Sequence, residues 1–401
     1  MSLRKLSVAI ALALGASGAN AQVSGGVVKI GVLSDMSSLY ADIGGPGSVA
    51  AAKMAVDDFL KTHKGLKVEI VSADHQNKPD TGSAIARQWY DVDGVDAIFD
   101  VPTSSVALAV NEVTREKKKA FIISGAASSD LTGKACSPNT VHFTYDTWML
   151  ANGTGSAIVK TGGDSWFFIT ADYAFGHALE RDTEAVVLKN GGKVLGKVRV
   201  PLNTQDFSSF LLQAQASKAK IIGLANAGGD TINSIKQASE FGIVKGGQNL
   251  AGLLVFISDI HGLGLQTAQG LIFTTTFYWD HNDQTRAFAK RMAAANNGKY
   301  PTMVQAGVYA GVLHYLKAVT AAKTDDGTKV VEQMKKMPTD DPLFGKGRIR
   351  ADGRALHPAY LVEVKKPSES KYPYDYYKVK ATIPMEQAFR PENEGGCSLV
   401  K

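Results

Sequence analysis

The sequence predicts an α/β protein made of two doubly wound halves in tandem. Its 401 residues exceed the usual size of one domain, and the composition, 44% hydrophobic and 20% charged, is that of a globular protein. Short β-branched segments alternate with segments whose apolar residues recur at helical spacing, which favours mostly parallel sheets covered by helices on both faces. The alternation restarts at about residue 152 with little identity between the halves, so the repetition is one of architecture only.

The first half contains four predicted strands with a helix between each pair. In the first helix, Val49, Ala52, Val56 and Phe59 fall on one face. The predicted strands are 27–33, 66–73, 95–101 and 121–124, and the predicted helices are 48–59, 81–90 and 105–117.

The second half repeats this order, and a further helical and strand-rich region follows it. The predicted strands are 165–170, 193–200, 219–225, 250–256 and 270–276, and the predicted helices are 152–160, 176–190, 207–217 and 230–241. Beyond residue 280 the pattern predicts helices at 284–296 and 304–320, then late strands at 359–364 and 376–380. This late segment could return to the first half.

The N-terminus has the three parts of a secretory signal peptide. Arg4 and Lys5 precede an apolar stretch at 6–14, and the small-residue sequence Ala-Asn-Ala at 19–21 provides a cleavage site. Nine apolar residues are too few for a membrane-spanning helix, which needs about 20. We therefore predict that residues 1–21 are removed and that the protein is periplasmic. Gln22 rather than a cysteine follows the cut, so a lipid anchor is not indicated.

The chain contains two cysteines, Cys136 and Cys397. An exported protein with two cysteines favours one disulfide, which would fix the C-terminal tail to the first half. Two buried free thiols are the alternative. Neither cysteine lies in a CxxC pair or near a histidine cluster, so no metal or redox site is predicted.

Charge and motifs argue against several functions. The net charge of +6 is small for this length and its lysines and arginines are scattered, so no nucleic-acid partner is predicted. The sequence has no GxSxG, HExxH or Walker A motif. We predict a protein that is not an enzyme and takes no cofactor. An exported enzyme using Asp172, Asp259 or His261 as acid or base is the alternative.

Hydroxyl and small residues follow two successive predicted strands of the first half. Ser104 and Ser105 follow the third strand, and Ala126, Ala127 and Ser128 follow the fourth. Ligands of doubly wound sheets bind outside the carboxyl ends of the strands. Hydroxyls and free N–H groups at a helix start suit a carboxylate, although each hydroxyl could equally be an ordinary helix cap.

The matching strand ends of the second half provide aromatic and glycine-rich loops. Aromatic rings there would offer ring faces to a ligand, and glycine would allow close backbone approach. The candidate residues are Tyr173, Phe175, Asn226, Ala227, Gly228, Asp259 and His261. Core packing is the alternative role for the two aromatic residues.

Several segments together resemble one family. They are KIGVLSDMSSLYADIGGPGSVAAAKMAVDDF, PTSSVALAVNEVTREKKKAFIISGAASSDLT, ADYAFGHALERDT, and FGKGRIRADGR followed by HPAYLVEVKKP. The chain resembles the branched-chain amino-acid (Leu/Ile/Val-type) periplasmic binding proteins of ABC importers over essentially its whole mature length. The resemblance implies a Venus-flytrap fold, in which two α/β lobes joined by three crossovers close on a ligand.

The resemblance also implies an organisation. Lobe 1 would comprise 22–145 plus about 281–345, and lobe 2 about 146–280 plus about 346–370. The tail at about 371–401 would return to lobe 1. The expected partners are a small carboxylate ligand and a membrane permease of the ABC type, and the protein is predicted to be a monomer. A sensory protein that signals to a membrane receptor is the alternative.

By the same resemblance, lobe 1 holds a ligand carboxylate through Ser104, Ser105 and the loop at 126–128. Lobe 2 adds Phe175, the loop at 226–228 and a polar group near Asp259. Amino-acid binders of this class usually have Tyr at the position of Phe175 and Glu near Asp259, beside which His261 stands here. Because this chain departs from the usual pattern at these two positions, its ligand could be an aromatic carboxylate as well as an amino acid. The rings on which it could stack belong to Tyr40, Tyr145, Tyr173, Phe175 and Tyr278.

Overall fold

Two parallel sheets organise the chain, one in each of two lobes. The structure is a computed structural model that describes residues 23–400, so the predicted signal peptide at 1–21 lies outside the described residues. We call the lobe with the five-stranded sheet lobe 1 and the lobe with the four-stranded sheet lobe 2. The predicted fold class is confirmed: both lobes are doubly wound α/β units.

The sheet of lobe 1 is entirely parallel. Its two central strands, Ala97–Asp100 and Ala120–Ile123, are buried along their whole length, as expected for strands covered by helices on both faces. The strand order is Val68–Asp74, Val28–Ser34, Ala97–Asp100, Ala120–Ile123 and Thr140–His142. The main helices of lobe 1 are Gly45–Thr62, Pro79–Asp91, Ser104–Lys117, Asp283–Ala295, Met303–Ala322 and Gly327–Lys336.

The sheet of lobe 2 is also parallel, with strand Ser165–Ala171 buried throughout at its centre. The edge strand Lys193–Val200 alternates between exposed and half-buried residues, in keeping with its alternation of polar and apolar side chains. The strand order is Lys193–Val200, Ser165–Ala171, Ile221–Ala225 and Asn249–Gly252. The helices are Thr147–Leu150 continuing through Ala151–Gly155 to Ser156–Lys160, then Ala174–Lys189, Ser208–Ala216, Gly229–Glu240, Ile257–Leu263 and Leu265–Ala268.

The chain crosses between the lobes three times. The crossings follow strands Thr140–His142, Ile272–Thr275 and Ala355–Leu356. Two small antiparallel sheets accompany them: Ile272–Thr275 with Ala359–Val364 and Tyr377–Ile383, and Thr339–Asp341 with Gly345–Ile349 and Ala355–Leu356. No helix within residues 23–400 combines the length and the apolar character needed to cross a bilayer.

The Cys136–Cys397 disulfide is confirmed, and the alternative of two free thiols is wrong. The bond links residues 261 positions apart. Beside it, the Arg390 guanidinium donates a hydrogen bond of 3.0 Å to the carbonyl of Ser129. The last residues of the chain are thus fixed to lobe 1.

The predicted and the observed secondary structure differ around residues 249–263. The predicted strand 250–256 ends at Gly252, and Ile257–Leu263 forms an unpredicted helix. The run from 250 to 257 is almost continuously apolar, and periodicity alone does not separate a buried strand from buried irregular structure in such a run. The difference bears on function, because Leu254 and Phe256 lie on the irregular segment.

Candidate ligand-binding site

A small cavity lies between the lobes, at the carboxyl ends of the strands of both sheets. Aromatic and small apolar residues from both lobes line it. Lobe 1 and the first crossover contribute Tyr40, Ile43, Pro102, Gly125, Ala127 and Tyr145, and lobe 2 contributes Tyr173, Phe175, Ala227, Leu254 and Phe256. We call this space the interlobe cavity.

Four of the loops that line the interlobe cavity lead directly into helices. Ile43 precedes helix Gly45–Thr62, Pro102 precedes Ser104–Lys117, Tyr173 precedes Ala174–Lys189, and Ala227 precedes Gly229–Glu240. Helix N-termini carry unpaired N–H groups and a partial positive charge. Four helix N-termini therefore surround the cavity, and none of its lining residues carries a charged side chain.

The lobe 1 wall depends on a strained strand end. Asp100 and Val101 have positive φ values of 80° and 56°, which are uncommon for non-glycine residues and costly for a β-branched one. This turn places Pro102 at the cavity. Gly125 packs so closely against it that a Cβ atom at Gly125 would lie 2.6 Å from the Pro102 Cα. Glycine is therefore required at position 125.

Beneath this wall the Asp100 carboxyl is fully buried. Its Oδ2 accepts a hydrogen bond of 2.8 Å from the Ser34 hydroxyl, and its Oδ1 has no hydrogen-bond partner among the described residues. Burial raises the pKa of Asp100 to about 6.

The predicted hydroxyl loops of lobe 1 support the wall from behind. Ser104 Oγ accepts hydrogen bonds from the Ala127 N–H at 3.3 Å and the Ser128 N–H at 3.1 Å. The Ser128 hydroxyl caps the short helix Ser129–Thr132, and the Ala126 carbonyl hydrogen-bonds with the His142 ring at 2.7 Å. Ser105 is half-buried. Of these five candidates only Ala127 lines the cavity.

Lobe 2 brings both of its candidate aromatic residues to the interlobe cavity. Tyr173 and Phe175 flank the start of helix Ala174–Lys189, with ring centroids 5.8 Å apart. Gly228, with φ +58°, lets the lobes approach: a Cβ atom there would lie 2.8 Å from the Leu39 carbonyl oxygen of lobe 1. Asn226 does not line the cavity; its Oδ1 accepts a hydrogen bond from the Thr231 hydroxyl at 2.8 Å and organises the next helix.

Three tyrosine hydroxyls provide the polar groups of the cavity. The hydroxyls of Tyr40 and Tyr173 meet across the lobes at 2.7 Å, and the Tyr145 hydroxyl donates to the Gly125 carbonyl at 2.5 Å. Burial raises the pKa of Tyr40 and of Tyr173 above the usual value, so both stay protonated. The contact between Tyr40 and Tyr173 uses one of their two O–H hydrogens, which leaves the other to donate to a ligand oxygen.

A second set of contacts holds the lobes together beside the cavity. Asp182 of lobe 2 is buried and accepts a hydrogen bond of 2.6 Å from the Ser129 hydroxyl of lobe 1. Within its own lobe it accepts another of 2.6 Å from the Thr147 hydroxyl. Arg181 extends the set by donating to Asp130 at 3.1 Å and to the Ser129 hydroxyl at 2.9 Å. With the Tyr40–Tyr173 contact, these bonds describe a closed arrangement of the lobes.

Three further candidates lie outside the interlobe cavity. Tyr278 lines a neighbouring cavity. His261 is exposed; its ring stacks on Tyr374 at 4.5 Å and its Nδ1 hydrogen-bonds with the Tyr376 hydroxyl at 2.8 Å. Asp259 is buried in helix Ile257–Leu263, where its Oδ2 accepts the Phe256 N–H at 2.9 Å.

The Asp259 carboxyl should make the stability of the protein depend on pH. Burial, with a smaller contribution from the nearby Asp42, raises its pKa to about 7 although the Phe256 N–H bond opposes the shift. The folded state therefore retains a proton that the unfolded state loses near pH 4, and stability is lost as pH rises from about 4 to about 7. Asp259→Asn keeps an oxygen for the Phe256 N–H but cannot ionise. Its unfolding free energy relative to the native protein should rise with pH, by at most about 1.4 kcal/mol per unit.

Urea unfolding of both proteins at pH 5, 6, 7 and 8 measures this difference. The expected difference grows from pH 5 to pH 7 and is nearly constant above. A difference that does not change between pH 5 and pH 7 would show that Asp259 ionises normally in the folded state.

Sequence reasoning missed five residues of the cavity lining: Ile43, Pro102, Gly125, Leu254 and Phe256. Pro102 and Gly125 belong to the two strand-end loops that the sequence predicts to carry the site. Their position at the strand ends could therefore have identified them. Leu254 and Phe256 fall within the predicted strand 250–256, and so the sequence did not indicate them as site residues.

The chemistry of the interlobe cavity is that of binding. None of its lining residues carries a charged side chain. Within residues 23–400, no group of three or more His, Cys, Asp or Glu residues is arranged to hold a metal ion. Two α/β lobes that close on a small uncharged cavity define a solute-binding protein.

Comparison with known proteins agrees with this class. The chain belongs to the periplasmic binding protein family, whose sequence profile matches residues 27–371. Proteins of this family are extracytoplasmic ligand-binding components of ABC transporters, so the chain is a binding protein and the alternative of an enzyme is excluded.

Several solved structures and curated relatives are similar to the chain. A periplasmic binding protein from Burkholderia mallei is 55% identical, with a TM-score of 0.91 over 94% of this chain and 100% of its own. A Burkholderia xenovorans protein described as a branched-chain amino-acid ABC transporter ligand-binding protein is 43% identical, with a TM-score of 0.83 over 93% and 100%. A Leu/Ile/Val-binding protein homologue of Brucella melitensis is 26% identical over 86% of this chain and 90% of its own.

Proposed function

We propose that the protein captures a one-ring aromatic monocarboxylate between its lobes for import by an ABC permease. The observation that carries the proposal is the interlobe cavity itself, which combines aromatic walls with neutral hydrogen-bond donors and has no charged lining residue. The space enclosed among these residues is small, so it suits a ligand of no more than about one ring.

The ligand carboxylate would be held without a cationic side chain. The unused hydroxyl hydrogen of the Tyr40–Tyr173 pair can donate to one of its oxygens, and the converging helix N-termini favour its negative charge. A hydrogen bond to a charged group is stronger than one between neutral groups, so a few such donors suffice. The ring would pack against Tyr145 and Phe175, which are both buried.

A branched-chain amino acid is the second candidate ligand. The 43% identical Burkholderia xenovorans protein is described as a branched-chain amino-acid binder, which favours it. Against it, an α-ammonium group needs an anionic partner, and Asp259 does not line the cavity and is occupied by the Phe256 N–H. The fold itself accommodates aromatic acids: Rhodopseudomonas palustris proteins 19% and 22% identical to this chain were solved with benzoate and 4-hydroxybenzoate.

Thermal unfolding of the purified protein with two ligand panels tests the proposal. One panel contains benzoate, 4-hydroxybenzoate and phenylacetate, and the other contains leucine, isoleucine, valine and phenylalanine. A ligand at about 100 times its Kd stabilises the folded state by about 2.7 kcal/mol, so binding should raise the melting temperature. We expect a shift with the first panel. A shift with amino acids alone would contradict the aromatic-acid proposal and support the second candidate.

A matched pair of variants places the ligand. Ala127→Leu fills part of the interlobe cavity and should abolish the ligand-induced shift. Ala216→Leu makes the same change at an exposed position of helix Ser208–Ala216 and should leave the shift unchanged. Equal shifts in both variants would show that the ligand binds elsewhere.

We also propose the cellular setting and the lobe boundaries. A cleaved signal peptide at 1–21 would deliver a monomer to the periplasm, where the closed lobes would be recognised by the permease. Lobe 1 would comprise 22–145 and 281–345, as expected. It would also include the hairpin that ends at Leu356, because Arg354 of that hairpin pairs with His142 of lobe 1. The tail would return to lobe 1 only after Ile383, because Tyr377–Ile383 still pairs with Ala359–Val364.

A further inference from the structure

A second small cavity lies next to the interlobe cavity and shares a lining residue with it. Its walls are mainly aromatic, with Phe277, Tyr278, Trp279 and Tyr377 among them. Within the described part of the chain, Phe256 is the one residue that lines both spaces. We call the second space the hinge cavity, because Thr275 and the residues of the second crossover line it.

Most polar groups around the hinge cavity are already hydrogen-bonded within the protein. The Thr275 hydroxyl donates to the Phe277 carbonyl at 3.0 Å, and the Trp279 indole N–H donates to the Tyr374 carbonyl at 2.9 Å. The surface left for a guest is therefore apolar and aromatic. Such a space suits the hydrocarbon part of a ligand whose carboxylate is held elsewhere.

Phe256 is held in place by two separate sets of contacts. Its backbone N–H donates to Asp259 Oδ2 at 2.9 Å, which fixes the main chain at the start of helix Ile257–Leu263. Its buried ring meets the Tyr145 ring edge to face, with centroids 6.1 Å apart. A change of the side chain thus alters the wall between the cavities while the backbone anchor remains.

We propose that the Phe256 ring is a partition that sets the length of ligand the protein accepts, and that the hinge cavity is a closed-off subsite for the distal part of longer arylalkanoic acids. The inference rests on the proposed function, because it assumes that the ligand occupies the interlobe cavity. With the ring in place, a one-ring acid fills the available space. Without it, the two cavities join into one elongated space with an aromatic far end.

Affinity measured along a series of increasing ligand length tests this inference. The probes are benzoate, 3-phenylpropionate and 4-phenylbutyrate, and in parallel valine, phenylalanine and homophenylalanine. Isothermal titration gives the ratio of affinities for the longest and the shortest acid. The native protein should prefer the short acid. In Phe256→Ala the ratio should shift towards the long acid by tenfold or more, since each methylene buried is worth about fourfold.

Two control variants distinguish the loss of a partition between the cavities from the enlargement of one cavity alone. Leu254→Ala widens the interlobe cavity without opening the wall, and Phe277→Ala widens only the hinge cavity. Neither should shift the ratio as Phe256→Ala does. Phe256→Leu, which keeps an apolar side chain of intermediate size, should give an intermediate ratio and provides a usable protein if the alanine variant does not fold.

The outcomes distinguish this inference from the proposed function. Binding of benzoate by the native protein with the same length ratio in Phe256→Ala and Phe256→Leu would overturn the partition alone. A shift of equal size in Leu254→Ala would also overturn it. A length-dependent shift seen only in the amino-acid series would support the partition while overturning the aromatic-acid proposal. No binding by any variant in either series would overturn both.

Discussion

Replacement of Arg354 by methionine is expected to lower the free energy of unfolding by about 3–5 kcal/mol. Arg354 is fully buried, and its guanidinium donates to the Tyr145 carbonyl at 3.0 Å, to Asp146 Oδ2 at 3.4 Å and to the Ala355 carbonyl at 3.0 Å. Burial lowers the pKa of Arg354 only to about 10, so the group is charged at neutral pH. Methionine would leave the Asp146 carboxylate buried without a cation.

The position of Arg354 in the fold adds to the effect. Tyr145 and Asp146 belong to the first crossover, whereas Arg354 and Ala355 lie just before the third. The guanidinium therefore ties two of the three connections between the lobes together. Its face also packs on the Phe389 ring, 4.7 Å from the centroid, which brings the C-terminal tail to the same point. Loss of the group should loosen the hinge as well as destabilise the fold.

Urea unfolding measures this loss, with Arg87→Met as the matched control. Arg87 pairs with Glu116, but both side chains are about half exposed, so the control should cost at most about 1 kcal/mol. Combining Arg354→Met with Asp146→Asn should recover part of the loss, because asparagine carries no charge and can still cap helix Thr147–Leu150. Equal losses in Arg354→Met and Arg87→Met would show that the buried pair contributes no more than an exposed one.

Removal of the disulfide by Cys397→Ser is expected to cost about 2–4 kcal/mol, mainly because the unfolded chain regains the freedom that the cross-link removed. The bond closes a loop spanning 261 positions, so it restrains most of the unfolded chain. Neither cysteine lines the interlobe cavity, and ligand affinity should therefore change little.

Denaturant unfolding with and without dithiothreitol tests this expectation. Reduction should lower the stability of the native protein to that of Cys397→Ser and leave the variant unchanged. Cys136→Ser should match Cys397→Ser, since either change removes the same bond. A variant as stable as the oxidised protein would contradict the expectation, and a large fall in ligand affinity would show that the tail shapes the cavity.

The sequence by itself determined the architecture. Alternating strand and helix periodicity predicted both lobes and nearly all of their strands, because that periodicity reflects which face of each element is buried. Strand-end position identified the loops that carry Ala127, Tyr173, Phe175 and Ala227, because in a doubly wound fold those ends converge on one edge. The pairing of Cys136 with Cys397 was also predicted, as a chain with two cysteines allows one disulfide.

Only the tertiary structure decided which side chains of those loops face the cavity. Ser104 and Ser128 lie on the predicted loops, but their hydroxyls serve the backbone, and local sequence does not distinguish a cap from a ligand contact. Tyr40 and Tyr173 are 133 positions apart and meet because the two lobes lie against each other. Phe256 lines two cavities that no single segment forms. A cavity between lobes is a property of their relative placement, and one-dimensional periodicity carries no information about that placement.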